Sequence, residues 1–111
     1  VVLRFDQARL AALVTSVPEL SVGLARQALD RVLELPVEEQ DVLLETLAAW
    51  FDTDGSPADA GRRLHCHRNT VRYRLNKLAQ LTGCDLRKPG DITRLYLALE
   101  AVRLLPDQVR G

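Results

Sequence analysis

Between positions 62 and 84 the sequence gathers most of the side chains capable of specific chemistry. Arg62, Arg63, Arg68, Arg72, Arg74 and Lys77 supply cations, Asn69, Asn76 and Tyr73 supply directed donors and acceptors, and His65, Cys66, His67 and Cys84 are possible metal or redox groups. The first two sets suit nucleic acid. A guanidinium can bind guanine with two parallel hydrogen bonds, and an Asn amide can do the same with adenine. Tyr73 can donate to a phosphate or pack on a thymine methyl, and Lys77 offers a point charge to the backbone. The third set fails on spacing. Neighbouring side chains in a tight turn diverge, and no CxxC or HxxxH pair is present. No metal and no cofactor is expected, and Cys66 reads as a small apolar residue in a turn. No Ser/His/Asp spacing or glycine-rich phosphate loop argues for an enzyme.

Charge sharpens the reading. The chain is neutral overall, yet residues 1–59 carry four basic and eleven acidic side chains, whereas residues 60–84 carry six basic and none acidic. Residues 85–111 carry five and four. A carboxylate-free block inside an otherwise acidic chain is a footprint for a polyanion. The bland alternative is a solvated helix face, which charge runs commonly are. A protein-interaction or dimerisation module on a helix-turn-helix scaffold is the rival from another class. Such an interface has no need to exclude acidic residues.

These groups need rigid elements to position them, and helical periodicity runs nearly throughout. Leu10, Leu13, Val14 and Val17 suggest a first helix after Asp6, broken at Pro18. Leu24, Ala28, Leu29, Val32 and Leu33 mark a second, up to Pro36. A third opens near Pro36 with Glu38, Glu39 and Asp41 in its first turns, carries Val42, Leu43, Leu47, Trp50 and Phe51, and ends at Asp54-Gly55. Ser56-Pro57-Ala58-Asp59 is a helix start: Ser56 can cap free amides, Pro57 suits the first helical position, and Asp59 stands at the reciprocal capping-box position. That helix can reach only Leu64, because another begins at His67 or Arg68 and runs to Gly83 with Val71, Leu75 and Leu78 inward. Two short helices joined by a tight turn make a helix-turn-helix. Gly61 is small where their backbones should approach. Asn69, Tyr73 and Asn76 then project outward, flanked by Arg68, Arg72 and Lys77, and Ser56 offers a start-of-helix contact to phosphate. A last helix near Asp91 carries Ile92, Leu95, Tyr96, Leu99 and Val102. Val1–Phe5 reads as the stub of a strand.

The composition is that of a soluble globular protein, with 47% hydrophobic and 27% charged residues. No apolar run approaches the roughly 20 residues of a membrane span, and two cysteines are too few for a disulfide framework. A first residue that is not Met suggests a piece of a longer protein. Leu104, Leu105 and parts of 1–36 are candidates for an assembly contact, but they form no obvious large patch in the sequence. The piece is therefore expected to be monomeric or weakly dimeric.

The run His67-Arg68-Asn69-Thr70-Val71-Arg72-Tyr73-Arg74-Leu75 resembles the C-terminal DNA-binding domain of PucR/CdaR transcriptional regulators, together with Asp54-Gly55-Ser56, residues 60–64, Leu81-Thr82-Gly83, Asp85-Leu86 and residues 95–99. The resemblance covers about residues 40–104; more distantly, the segment resembles the helix-turn-helix of Fis. Cys66 departs from the family, where Val or Ile is commoner in the turn. The resemblance implies a cytoplasmic bacterial regulator that binds double-stranded DNA, is a homodimer when intact, and senses a small-molecule effector N-terminal to this piece, which itself follows a GGDEF-like region.

The expected fold is all-α: a homeodomain-like or Fis-like tri-helical core with added N-terminal helices and a closing C-terminal helix, about five to six helices in all. The expected divisions are a helical lead-in at 1–36, the DNA-binding domain at 37–105 and a tail at 106–111. The recognition helix spans about Arg68–Leu81. The expected DNA-binding residues are Ser56, His67, Arg68, Asn69, Thr70, Arg72, Tyr73, Arg74, Asn76 and Lys77.

Overall fold

The computed structural model describes residues 2–111, with side chains from Gln7 onward. Among them lie seven helices and no strand: α1 (Val2–Ser16), α2 (Pro18–Leu33), α3 (Val37–Asp52), α4 (Pro57–Leu64), α5 (Arg68–Thr82), α6 (Pro89–Leu104) and α7 (Pro106–Arg110). The five prolines all stand at helix starts, Pro36 as the N-cap of α3 and the others at the first helical position. A missing N–H costs nothing there, and the fixed φ suits the first turn.

The expected strand at the N-terminus is overturned for Val2–Phe5, which belong to α1; Val1 lies outside the described residues. No breaker separates this stretch from the periodic residues that follow. A helix pairs its backbone groups internally, whereas an extended segment here would meet no partner strand among the described residues.

The core is built on α2 against α6. Ala25, Ala28, Leu29 and Val32 of α2, and Leu95, Ala98, Leu99, Ala101 and Val102 of α6, are buried. Alanines on both helices permit close approach. α5 closes onto α2 and α3 through Val71, Leu75 and Leu78, while α4 lies across α3 and α5. Buried Gln40 satisfies the end of α2, donating through Nε2 to the carbonyls of Leu33 (3.0 Å) and Leu35 (2.7 Å). The buried carboxylate of Glu100 accepts from Arg103 Nε at 2.8 Å. Burial, with Glu100 nearby, pushes the Tyr96 phenol above its ordinary value. At the other end, α7 folds back on α6 and α2. Val109 is buried, Arg26 donates to the carbonyls of Gln108 and Val109, and Arg110 pairs with Asp41 at 2.8 Å.

No single helix among the described residues is long and apolar enough to cross a membrane. The apolar stretch of α1 and α2 is bent by 100° between Gln7–Ser16 and Pro18–Leu33.

Candidate nucleic-acid interface

The first helix of the pair starts as its sequence requires. Ser56 Oγ accepts the Asp59 N–H at 3.1 Å, and Pro57 follows. Asp59 does not return the bond of a capping box; its carboxylate pairs with Arg62 one turn on. The helix stops at His65, whose φ of 59° lies in the left-handed region. There the N–H of His65 reaches the Arg62 carbonyl (3.4 Å) and that of Cys66 the Gly61 carbonyl (2.9 Å), the Schellman pattern. A non-glycine residue at this position is the feature that sequence reading missed. Its only advance signal was the shortness of the gap between the two helices.

Gly61 is buried, and the close approach is to the turn rather than to the body of the second helix. A Cβ at this position would lie 2.6 Å from the Cys66 carbonyl oxygen and 3.3 Å from the Arg68 nitrogen. Only a residue without a side chain lets the chain reverse this tightly.

The second helix, α5, starts at its N-cap His67, where Nδ1 accepts the Asn69 N–H at 3.0 Å. That contact leaves Nε2 as the proton-bearing nitrogen of the neutral ring. At its far end Gly83 adopts φ 70° and donates to the Ala79 carbonyl. With 15 residues, α5 is about 22 Å long.

Turning about 100° per residue, the helix sets Arg68, Asn69, Arg72, Tyr73 and Asn76 within an arc of about 140°, separate from the arc of about 60° that carries buried Val71, Leu75 and Leu78. All five are exposed, Tyr73 by 66%. Arg72 Nη1 lies 3.5 Å from Asn69 Oδ1. The remaining expected residues are placed differently. Thr70 and Lys77 are half-buried beyond one edge of this face, next to Tyr73. Arg74 is half-buried and directs its guanidinium to Thr46 Oγ1 on α3, 3.4 Å away. On the wheel it neighbours Leu78, so periodicity already separated it from the exposed five. Ser56 and His67 are engaged as caps.

Ion pairing concentrates the charge further. Arg62 is countered by Asp59 and Arg63 by Asp52 of α3, at 3.2 Å. Among the described residues no ion pair forms to Arg68, Arg72, Arg74 or Lys77. The uncompensated positive charge of the block therefore sits on α5. An open, basic cleft of about 340 Å³ lies at the junction, lined by Ala58, Arg62, Cys66, His67 and Arg68. Cys66 and Cys84 are free thiols, and no group of three or more His, Cys, Asp or Glu among the described residues could hold a metal.

Residues 43–101 match the PucR C-terminal helix-turn-helix domain, just over half the chain and the part that contains α4 and α5. The chain belongs to the PucR C-terminal helix-turn-helix family. Over 64 residues it is 42% identical to the carbohydrate diacid regulator of Escherichia coli (strain K12), covering 58% of this chain and 17% of that protein. Over 68 residues it is 41% identical to the purine catabolism regulatory protein of Bacillus subtilis (strain 168), covering 61% and 13%. Over 60 residues it is 35% identical to transcriptional activator PmfR of Paenarthrobacter nicotinovorans, covering 54% and 13%. The chain thus spans less than a fifth of the length of these relatives. No solved structure matches. Within the PucR helix-turn-helix unit, α4 and α5 fall inside the matched stretch, while α1, α2 and α7 lie outside it but pack on the same core.

Proposed function

We propose that this chain is the sequence-specific DNA-binding module of a cytoplasmic, non-enzymatic transcriptional regulator, with α5 entering the major groove of duplex DNA. The observation that carries the reading is the exposed face of α5. Two amides, two guanidiniums and a phenol share one helical arc, and the cations on and beside it have no carboxylate partner among the described residues. A guanidinium and an amide at the start of the helix, Arg68 and Asn69, suit direct reading of base edges. Arg72, Tyr73, Asn76 and Lys77 suit flanking bases and phosphates, and the basic cleft beside His67 suits a phosphate oxygen. Arg74 acts from behind, tying the reading helix to α3. Transcriptional regulators among the relatives support the same reading. The intact regulator works as a homodimer, and its small-molecule effector binds outside this module.

Selection of bound duplexes from a random library at stated ionic strength tests the proposal. The three cations left on or beside the exposed face, Arg68, Arg72 and Lys77, predict a log affinity against log salt slope of about −2 to −3. A flat salt response, or a selected pool without a consensus, would refute it.

A further inference from the structure

The loop that joins α5 to α6, from Gly83 to Lys88, is locked by its own hydrogen bonds. The Cys84 N–H donates to Thr82 Oγ1 (3.2 Å) and the Asp85 N–H to Asp91 Oδ2 (2.9 Å). The Arg87 N–H donates to Asp85 Oδ1 (2.8 Å) and the Lys88 N–H to the Asp85 carbonyl (3.0 Å). Cys84 is buried, and Leu86 packs against the core. The loop is therefore a fixed platform for the side chains it carries.

That platform stands beside the exposed face of α5. An open cleft of about 460 Å³ is lined by Asn76 and Ala79 on the helix and by Cys84, Asp85, Leu86 and Arg87 on the loop. At about 100° per residue, Asn76 and Ala79 fall inside the arc that carries Arg68, Asn69, Arg72 and Tyr73, so cleft and face open on one side. The cleft beside His67 reaches α5 at Arg68, and this one reaches it at Asn76, about 12 Å further along the axis. The major groove is about 12 Å wide. The two clefts are therefore spaced like the two phosphate backbones that wall it.

Hydrogen-bonding capacity selects the occupant. The loop's carboxylates serve the loop's own donors: Asp85 accepts from the Arg87 N–H, Nε and Nη2, and Asp91 accepts from the Asp85 N–H. Donors are left over. The Arg87 side chain is 91% exposed and spends two of its five N–H groups on Asp85, which leaves three. Lys88 is exposed and forms no ion pair among the described residues, and Asn76 adds an amide. A forked guanidinium held rigid beside a point charge suits a phosphate, and the polyanion that passes this side of the molecule is the one that α5 reads.

We infer that Arg87 and Lys88, with Asn76, form a second phosphate clasp, which grips the strand across the major groove from the one that meets His67 and Arg68. The clasp rests on the DNA-binding reading above and extends the interface beyond the helix pair. Asp85 holds the Arg87 fork in place and offsets its charge. Arg87 thus fixes register on the duplex, while Lys88 supplies the attraction.

The test uses the 111-residue chain with Arg87→Ala, Lys88→Ala and Asp85→Asn, titrated with a selected duplex in which single phosphates are replaced by neutral methylphosphonates. Both cations are exposed, so their variants keep the wild-type circular dichroism, and Asp85→Asn retains an oxygen for the Arg87 N–H. Wild type should lose about tenfold in affinity at two groups of phosphates, one on each strand. Arg87→Ala and Lys88→Ala should weaken selected and unrelated duplexes by the same factor. Each should also make one group indifferent to neutralisation, while the group on the opposite strand stays sensitive. Lys88 steepens the salt slope by about 0.9 beyond the contribution of α5; Lys88→Ala should remove that increment, and Asp85→Asn, by unmasking Arg87, should add to it. A neutralisation map that neither cation variant changes, or wild-type sensitivity confined to one strand, overturns the clasp. A consensus site that is still selected in that case leaves the DNA reading standing. A chain that binds no duplex defeats both.

Discussion

Replacing Gly61 with Ala adds one carbon where the turn has no room. That carbon would stand 2.6 Å from the Cys66 carbonyl oxygen, against an ordinary contact of 3.4 Å or more. The obstacle is backbone and cannot rotate away. The same residue is also held in place, because the Cys66 N–H donates to the Gly61 carbonyl at 2.9 Å. The turn must open, at an overpacking cost of about 1–3 kcal/mol, and the weakened hydrogen bond adds about 1 kcal/mol. Alanine's helix propensity returns about 1 kcal/mol. A net loss of about 2 kcal/mol lowers the melting temperature of a 111-residue chain by roughly 9 °C. Gly23 is the control: it lies in α2, and a Cβ added there would meet nothing within 4 Å. Gly23→Ala should therefore raise stability by about 0.5–1 kcal/mol. Thermal melts followed by circular dichroism read both, and duplex titration below the melting range should show Gly61→Ala losing site preference, since the turn sets Arg68. A Gly61→Ala variant melting at or above wild type, or shifting as Gly23→Ala does, would refute the reasoning.

Arg68→Ala or Asn69→Ala should cost about 1–3 kcal/mol at a selected site and relax one base pair, whereas Arg62→Ala, already paired with Asp59, should weaken all duplexes slightly and equally; competition titrations against single-base variants of the site decide. His65→Gly removes a side chain from left-handed backbone and should stabilise by about 0.5–1 kcal/mol, so a melting temperature at or below that of wild type would show that the imidazole contributes more than the strain costs. The Asp85 carboxyl is held below the ordinary Asp value, first by the Arg87 side-chain hydrogen bond and then by the Arg87 backbone N–H. Its folded value being depressed, the contribution to stability is present above the ordinary Asp pKa of about 3.9 and disappears as pH falls through the lower folded value. In a carboxyl NMR titration Arg87→Ala should move Asp85 upward; an unmoved titration would rule out the pairing.

Helix positions and the exposed face of α5 were legible in the sequence because both depend on local chemistry. Proline, Ser56 and Gly83 act through their own or adjacent backbone, and a 3.6-residue period separates Val71, Leu75 and Leu78 from Arg68, Asn69, Arg72, Tyr73 and Asn76 whatever surrounds them. The carboxylate-free block was equally plain. What tertiary structure decided involves partners distant along the chain or a conformation that residue type does not dictate. Arg63 is neutralised by Asp52 across a helix junction, Arg74 is drawn to Thr46 on α3, and Arg26 clamps residues 108 and 109, so that the expected tail is a docked helix. Val2–Phe5 took the helical backbone of the segment that follows despite a β-branched residue at their start. The left-handed His65 and the cleft that sets Arg87 beside Asn76 arise only when helices meet at fixed angles, because the number of residues between two helices does not specify the direction in which the chain leaves the first.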